Sequence, residues 1–352
     1  MTAEPAEPRG ARRRWRLPVA AAVGLVLVAG AVFYLGGGYD RWQDGRSLAG
    51  LCHGSVDTAE VEDLLGVDRA RGKDAKAPEG LAGCSVDNAG NPGNGFLDVR
   101  IDRSQERADG ALHRLGRDRP NLSTTMVMPL GHGRRGVLDL QGRIGATAVV
   151  ALDCPAPNSP GLLITVGAVP ADGNYVLDDP ARRARFARVA ARAADGAARV
   201  WGCTAPSGPQ ITEVPSDTRY VKVADGAATG TCAGLSGTTN ESAADPDALI
   251  EDCFLYAGQD APRFRLGAYY PPFADVLPAV ADYPVTGPAG AKDDVAWATA
   301  TCPGGTTALF TVATVFDGNH TAAPDPALEK DALRTFAARS AQRHGCSAPQ
   351  LP

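Results

Sequence analysis

Eight cysteines are the residues of this 352-residue chain whose spacing bears most directly on chemistry. They stand at Cys52, Cys84, Cys154, Cys203, Cys232, Cys253, Cys302 and Cys346. The closest two are 21 positions apart, so no C-x-x-C pair is present for structural zinc or thioredoxin-type exchange. Disulfides in an oxidising compartment are the use that remains. The five histidines, at 53, 113, 132, 320 and 344, include no two within one helical turn. His53 beside Cys52 resembles a thiol–imidazole pair, but a cysteine held in a disulfide is no nucleophile. Gly234-Leu235-Ser236-Gly237 approaches a nucleophile elbow and lacks its last spacing. G-x-S-x-G, S-x-x-K, H-E-x-x-H, phosphate-loop and dinucleotide patterns are absent from the sequence.

Two further groupings invite a ligand. Asp172, Asn174, Asp178 and Asp179 crowd one loop with the oxygen atoms calcium prefers, but not at EF-hand spacing, and turn chemistry accounts for them. Arg182, Arg185, Arg188, Arg192 and Arg199 make a basic stripe suited to an anionic wall polymer or lipid headgroup. A solvated helix face paired with nearby carboxylates is the plainer reading. No catalytic residue, metal ligand or cofactor site is therefore assigned. Asn121-Leu122-Ser123, Asn240-Glu241-Ser242 and Asn319-His320-Thr321 match the glycosylation pattern. With 30 Arg against 5 Lys, a bias of GC-rich bacterial coding, that match is read as accidental.

The elements that must carry these residues repeat. Cys154-Pro155 corresponds to Cys302-Pro303, each after a strand-like run, 146–152 and 295–301. A second run follows each, 162–166 and 308–312, then Asp172-Gly173-Asn174 and Asp317-Gly318-Asn319. Asp179-Pro180-Ala181 and Asp325-Pro326-Ala327 then start helices, Asp capping and Pro fitting the first turn. Phe186, Val189, Ala190, Ala193 and Ala197, and Leu333, Phe336, Ala337 and Ser340, fall at helical spacing. Gly202-Cys203 and Gly345-Cys346 close the two copies. Confining bridges to each copy leaves three pairings per set of four. The repeated segment favours Cys154–Cys203 and Cys302–Cys346, with Cys52–Cys84 and Cys232–Cys253 following by elimination. Earlier in the copies, Asp57-Thr58-Ala59-Glu60 reads as a capping box before a Val61, Leu64, Leu65 stripe, and 245–250 reads as a short helix. Strands are expected at 96–101 and 264–269 and a polar helix near 104–115.

Ahead of all this, Leu17 to Leu35 carries no charge and follows Arg9, Arg12, Arg13, Arg14 and Arg16. The run is long enough to span a bilayer and the arginines hold the N-terminus inside; Trp15, Phe33 and Tyr34 suit the interfaces. A cleaved signal peptide with Ala29-Gly30-Ala31 as its site and a twin-arginine signal are the rival readings. Residues 1–16 carry a net charge of +3 and the rest −8, which argues against nucleic acid as partner.

The stretch Leu51-Cys52 through Thr58-Ala59-Glu60-Val61-Glu62-Asp63-Leu64-Leu65-Gly66, then Gly83-Cys84, resembles actinobacterial extracytoplasmic four-cysteine domains, found in envelope lipoproteins and kinase sensor domains. The resemblance implies an α+β domain with an antiparallel sheet, two disulfides and a binding or interaction role. It covers about 16 contiguous residues of copy one, and this chain has an apolar run in place of a lipidated Cys. The expectation is an α+β chain: a basic segment (1–16), a transmembrane helix (17–35), a tether (36–50), two related domains (51–206 and 229–352) and a linker (207–228). Its expected role is a non-enzymatic, single-pass envelope binding protein with an envelope protein or wall polymer as partner. A carboxylate hydrolase and a structural spacer are the alternatives.

Overall fold

A computed structural model describes residues 16–352 apart from 58–59, 76–79, 122–125, 143–144, 156–160, 174–178, 205–207, 216–220, 257–260, 281–282 and 317–322. Trp15 and the arginines before it, Thr58 and Ala59 of the expected capping box, Asn174, Asp178, Asp317-Gly318-Asn319 and His320 lie outside the described residues.

The chain begins with helices α1 (Arg16–Leu35), α2 (Gly38–Leu48), α3 (Leu51–Gly54) and α4 (Val61–Leu65). Strands β1 (Ala70–Ala75), β2 (Ala82–Asn88) and β3 (Phe96–Arg103) lead to α5 (Ser104–Arg114). Then come β4 (Met128–Pro129), β5 (Gly136–Gly142), β6 (Gly145–Leu152), β7 (Leu162–Val169) and the long α6 (Pro180–Trp201). The second half holds β8 (Thr239–Glu241), β9 (Ile250–Leu255), β10 (Phe264–Tyr269), α7 (Phe273–Val276), β11 (Ala289–Lys292), β12 (Val295–Thr301), β13 (Thr307–Thr314) and α8 (Pro326–Arg343).

The protein is α+β, with two antiparallel sheets ordered β1-β2-β3-β7-β6-β5-β4 and β11-β12-β13-β10-β9-β8. Short β4 aside, one order serves both: the first three strands sit together, the last returns beside the third, and the two before it complete the sheet. The apolar runs drive this because they are buried on both faces. In β6, Ala148 and Val150 enter a core under α6, while Val149 and Ala151 face the other way. In β13, Ala308 and Phe310 pack under α8, while Leu309 points oppositely. Period-two alternation thus splits each sheet between an outer core and a central one. The central core is shared: α5 (Ala108, Leu112) and α7 (Phe273, Ala274) meet there between the two sheets, with Trp297 and Tyr269.

The Asp-Pro starts behave as capping chemistry requires. Asp179 accepts from the Ala181 N–H at 2.8 Å, and Asp325 from the Leu328 N–H at 3.1 Å. Glu329 answers with a 3.0 Å bond from the Asp325 N–H, completing a reciprocal box. Four bridges close the body: Cys52–Cys84, Cys154–Cys203, Cys232–Cys253 and Cys302–Cys346.

Three segments differ from the sequence reading. The expected helix at 245–250 is a turn running into β9, because the Asp245 carboxylate accepts from the Asp247 N–H at 2.7 Å and Ile250 begins a strand buried on both faces. Residues 36–50 hold α2, which packs on β1 where a tether was expected. The stretch 207–228 carries Ile211 and Val214 into the first core, and its Val223 bridges to Thr239 at the start of β8. No single helix, counted over residues with described side chains (Ala22 onward in α1), is long and apolar enough to cross a membrane; α1 and α2 together pass on length and composition but are bent by 65°.

Candidate functional site

Neighbouring residues of β9 point to opposite faces, and that puts two carboxylates to different uses. Asp252 faces the central core, where it is fully buried. It meets Arg117, from the turn after α5, and Arg265 of β10, whose Nη2 is 3.0 Å away. Its second oxygen also accepts from the Val127 N–H at 2.9 Å. Arg265 reaches on to the Tyr269 hydroxyl at 3.0 Å, and that hydroxyl to Tyr283 at 3.0 Å. Burial pushes the Asp252 carboxyl up, and the two guanidinium charges outweigh it, holding the group below the ordinary range. Burial works to lower Arg265, but Tyr269 and the Asp252 charge outweigh it and raise the group, while burial raises Tyr283.

Glu251 faces the other way, under the end of α8. Ser340 donates to it at 2.7 Å, Arg343 lies at 2.6 Å and His344 Nε2 at 3.1 Å. The Tyr270 hydroxyl hydrogen-bonds Ser340 at 2.7 Å, and its ring stacks on His344 with centroids 3.6 Å apart. Burial works to raise Glu251, and the His344 hydrogen bond with the Arg343 charge holds it below the usual value. Tyr270 is raised, first by burial and then by the Glu251 charge.

This cluster forms one wall of a cleft of ≈ 370 Å³. His344, Tyr270 and the Cys302–Cys346 bridge line it from the second half. Arg135 and Asp153, paired at 2.6 Å, line it from the first. Asp247 and Pro271 complete the rim, and Arg135 donates to the Pro271 carbonyl at 3.0 Å. Nearby Asp245 is raised by burial. The cleft is therefore lined by apolar side chains such as Pro246 and Leu249 together with two carboxylates, one guanidinium and an imidazole.

Ser340 and His344 both address Glu251 and not each other. The cluster neutralises a buried anion; it does not set a hydroxyl against an imidazole base. Comparison of the chain with family models, curated proteins and solved structures found no match.

The residues singled out by sequence disperse. His53 stacks edge-on against Trp201, His113 pairs with Asp118 at 2.9 Å, and His132 bonds the Glu213 carbonyl at 3.0 Å. Asp172 pairs with Arg182 at 2.7 Å, and Asp179 caps α6 through Oδ1, so both have partners within the protein. Four of the five arginines of the α6 stripe are paired as well: Arg182 as above, Arg188 with Glu60 at 2.8 Å, Arg192 with Asp57 and Glu60, and Arg185 with Asp63 at 3.6 Å, while Arg199 is exposed. Cys52, Cys84 and Asp74 cluster at metal-ligand spacing, but both sulfurs are in a disulfide, and Asp74 accepts from the Cys52 N–H at 2.8 Å. What the sequence reading missed is the Glu251 cluster. Its members lie up to 93 positions apart, and Ser340 fitted the apolar stripe of its helix. A Glu-Asp pair inside an otherwise apolar run, Ile250–Leu255, is the signal that marks it.

Proposed function

We propose that this chain is a membrane-anchored, extracytoplasmic binding protein of the bacterial cell envelope. In this reading α1 is a single-pass anchor with its N-terminus inside, and two tandem related domains, 51–206 and 229–352, form the external body. The observation that carries it is an apolar helix, exposed over residues 22–35, leading into a body without a free thiol. Leu25, Val26, Leu27, Val28 and Leu35 of α1 are each at least 64% exposed, a state water disfavours over a whole helix. All eight cysteines are bridged, as an oxidising compartment permits. The 20 residues of α1 extend about 30 Å, the thickness of a hydrocarbon core. The common strand order of the two sheets and their equivalently placed bridges support the duplication, and the resemblance of the first copy to extracytoplasmic four-cysteine domains supports the external setting.

The cleft is the binding place in this reading, a partner protein or wall polymer its occupant. A carboxylate hydrolase is the alternative: Glu251 is committed to Ser340, Arg343 and His344, so its base would have to come from Asp153 or Asp247, which line the cleft, or from nearby Asp245. Protease added to intact spheroplasts expressing a C-terminally tagged chain tests the topology: the tag is lost, and a protected tag overturns the reading. A photo-crosslinking residue at Asp247 tests the binding: an adduct forms in intact cells, and absence of any adduct counts against the cleft.

A further inference from the structure

The segment joining α1 to the body has one face fixed to the protein and one left bare. Gly37, at φ +73°, turns the chain by 65° between α1 and α2. With α1 along the membrane normal, α2 lies within about 25° of the membrane plane, by that bend. One face of α2 is fixed to the protein. Asp44, 3% exposed, takes bonds of 2.6 Å from Arg69 Nη2 and 2.8 Å from Arg71 Nε on β1. Ser47 accepts from the Gly72 N–H at 2.9 Å, and Leu48 is buried beside them. Gly72 is needed there, because a Cβ would meet the Ser47 carbonyl at 2.8 Å. Burial works to raise Asp44, but the two guanidinium groups hold its carboxyl below the ordinary range, so the pin stays charged.

The opposite face is aromatic and bare. At about 100° per residue, Tyr39, Trp42 and Arg46 centre roughly 170° away from Asp44 and Leu48. Tyr39 is 44% exposed and Trp42 51%. Their rings approach to 5.9 Å, Tyr34 of α1 continues the row at 5.8 Å, and Arg46 covers Trp42 at 4.8 Å. Tyr and Trp with an apolar body and a polar edge, flanked by Arg, are the chemistry of the headgroup region. They directly follow an apolar helix whose side chains are exposed.

We infer that the Tyr34–Tyr39–Trp42–Arg46 row rests in the lipid headgroup layer and holds the body at a fixed angle to the membrane, with β1 nearest the bilayer. The inference rests on the anchor reading above. It is tested with the full chain in phosphatidylethanolamine–phosphatidylglycerol vesicles, the Trp42 signal being the difference between the wild type and Trp42→Phe. The result expected is a Trp42 signal quenched several-fold more by lipid brominated near the headgroup than by lipid brominated at the chain ends. It is also several-fold less sensitive than a free tryptophan amide to iodide present on both sides of the bilayer. If the chain floats with the vesicles but Trp42 is open to iodide and untouched by brominated lipid, the platform is overturned and the anchor stands. Stronger quenching from the chain ends overturns the shallow placement. If the chain does not float, both readings fall.

Discussion

Replacing Asp252 by Asn removes the carboxylate that two arginines of the central core share. Arg117 is 0% exposed and Arg265 2%. The amide is nearly the shape of the carboxylate and its oxygen still accepts from the Val127 N–H, so packing changes little. What the substitution removes is the charge that compensates guanidinium groups from both halves, and the acceptor that Arg265 uses, where an NH2 now stands. Breaking a buried ion pair at one partner costs about 3–5 kcal/mol, a large share of the roughly 5–15 kcal/mol that stabilises a folded protein. With a urea slope of about 3 kcal/mol/M, the midpoint falls by about 1–1.7 M. Equilibrium unfolding followed by far-UV circular dichroism and tryptophan fluorescence reads this directly, since Trp297 sits in the same core. A companion triple variant, Arg117→Met with Asp252→Leu and Arg265→Met, removes all three charges together and stays close to wild-type stability. A midpoint shift below about 0.3 M for Asp252→Asn, on the same slope, would refute the claim that the carboxylate compensates the two arginines.

Other consequences follow from the same geometry. Because Glu251 is held below its ordinary value of 4.5, its contribution is fully present above that value and is lost as pH falls through the lower folded value. Glu251→Gln therefore destabilises at neutral pH, and its deficit narrows in acid; a deficit independent of pH contradicts the assignment. Gly196 lies within α6 against the Ser55 backbone, where a Cβ meets the Ser55 carbonyl at 2.5 Å. Helix propensity alone predicts that Gly196→Ala stabilises by about 1 kcal/mol. Overpacking predicts a loss of about 1–3 kcal/mol, and thermal unfolding decides the sign. Complete reduction adds about 8 Da for four bridges. In graded reductant with alkylation, Cys154–Cys203 and Cys302–Cys346 open before Cys52–Cys84 and Cys232–Cys253, whose sulfurs are in residues at most 2% exposed. Each loop, closing 21 to 49 positions, contributes about 3–4 kcal/mol by chain entropy.

Much of the frame was legible because its signals are local. Apolar runs at 295–301 and 264–269 are β12 and β10 with the same limits, and both Asp-Pro pairs cap helices. The repeated landmarks were enough to favour pairing within each set of four cysteines. What stayed hidden depends on distant partners. Glu251 and Asp252 look wrong in a buried strand until Arg343 and Arg117 arrive, 92 and 135 positions away. The α2 segment looked like a tether because its few apolar residues do not form a stripe; an ion pair to β1 holds it instead. Strands β1 and β2 were missed for the same reason, as Lys, Asp and Ser interrupt their alternation. The cleft needed both halves in place and left no trace in either alone.

The shared central core also sets an order of events. The chain is synthesised from its N-terminus, and the first half is complete long before the second. At that moment Leu112, Val137, Val149 and Leu163 form an uncovered apolar face, and the Asp252 carboxylate that Arg117 meets is not yet made. The first half is then sticky, and maturation depends on residues 249–309 arriving before that face finds another copy. A truncation after residue 206 is thus expected to aggregate, while the same residues in the full chain stay hidden.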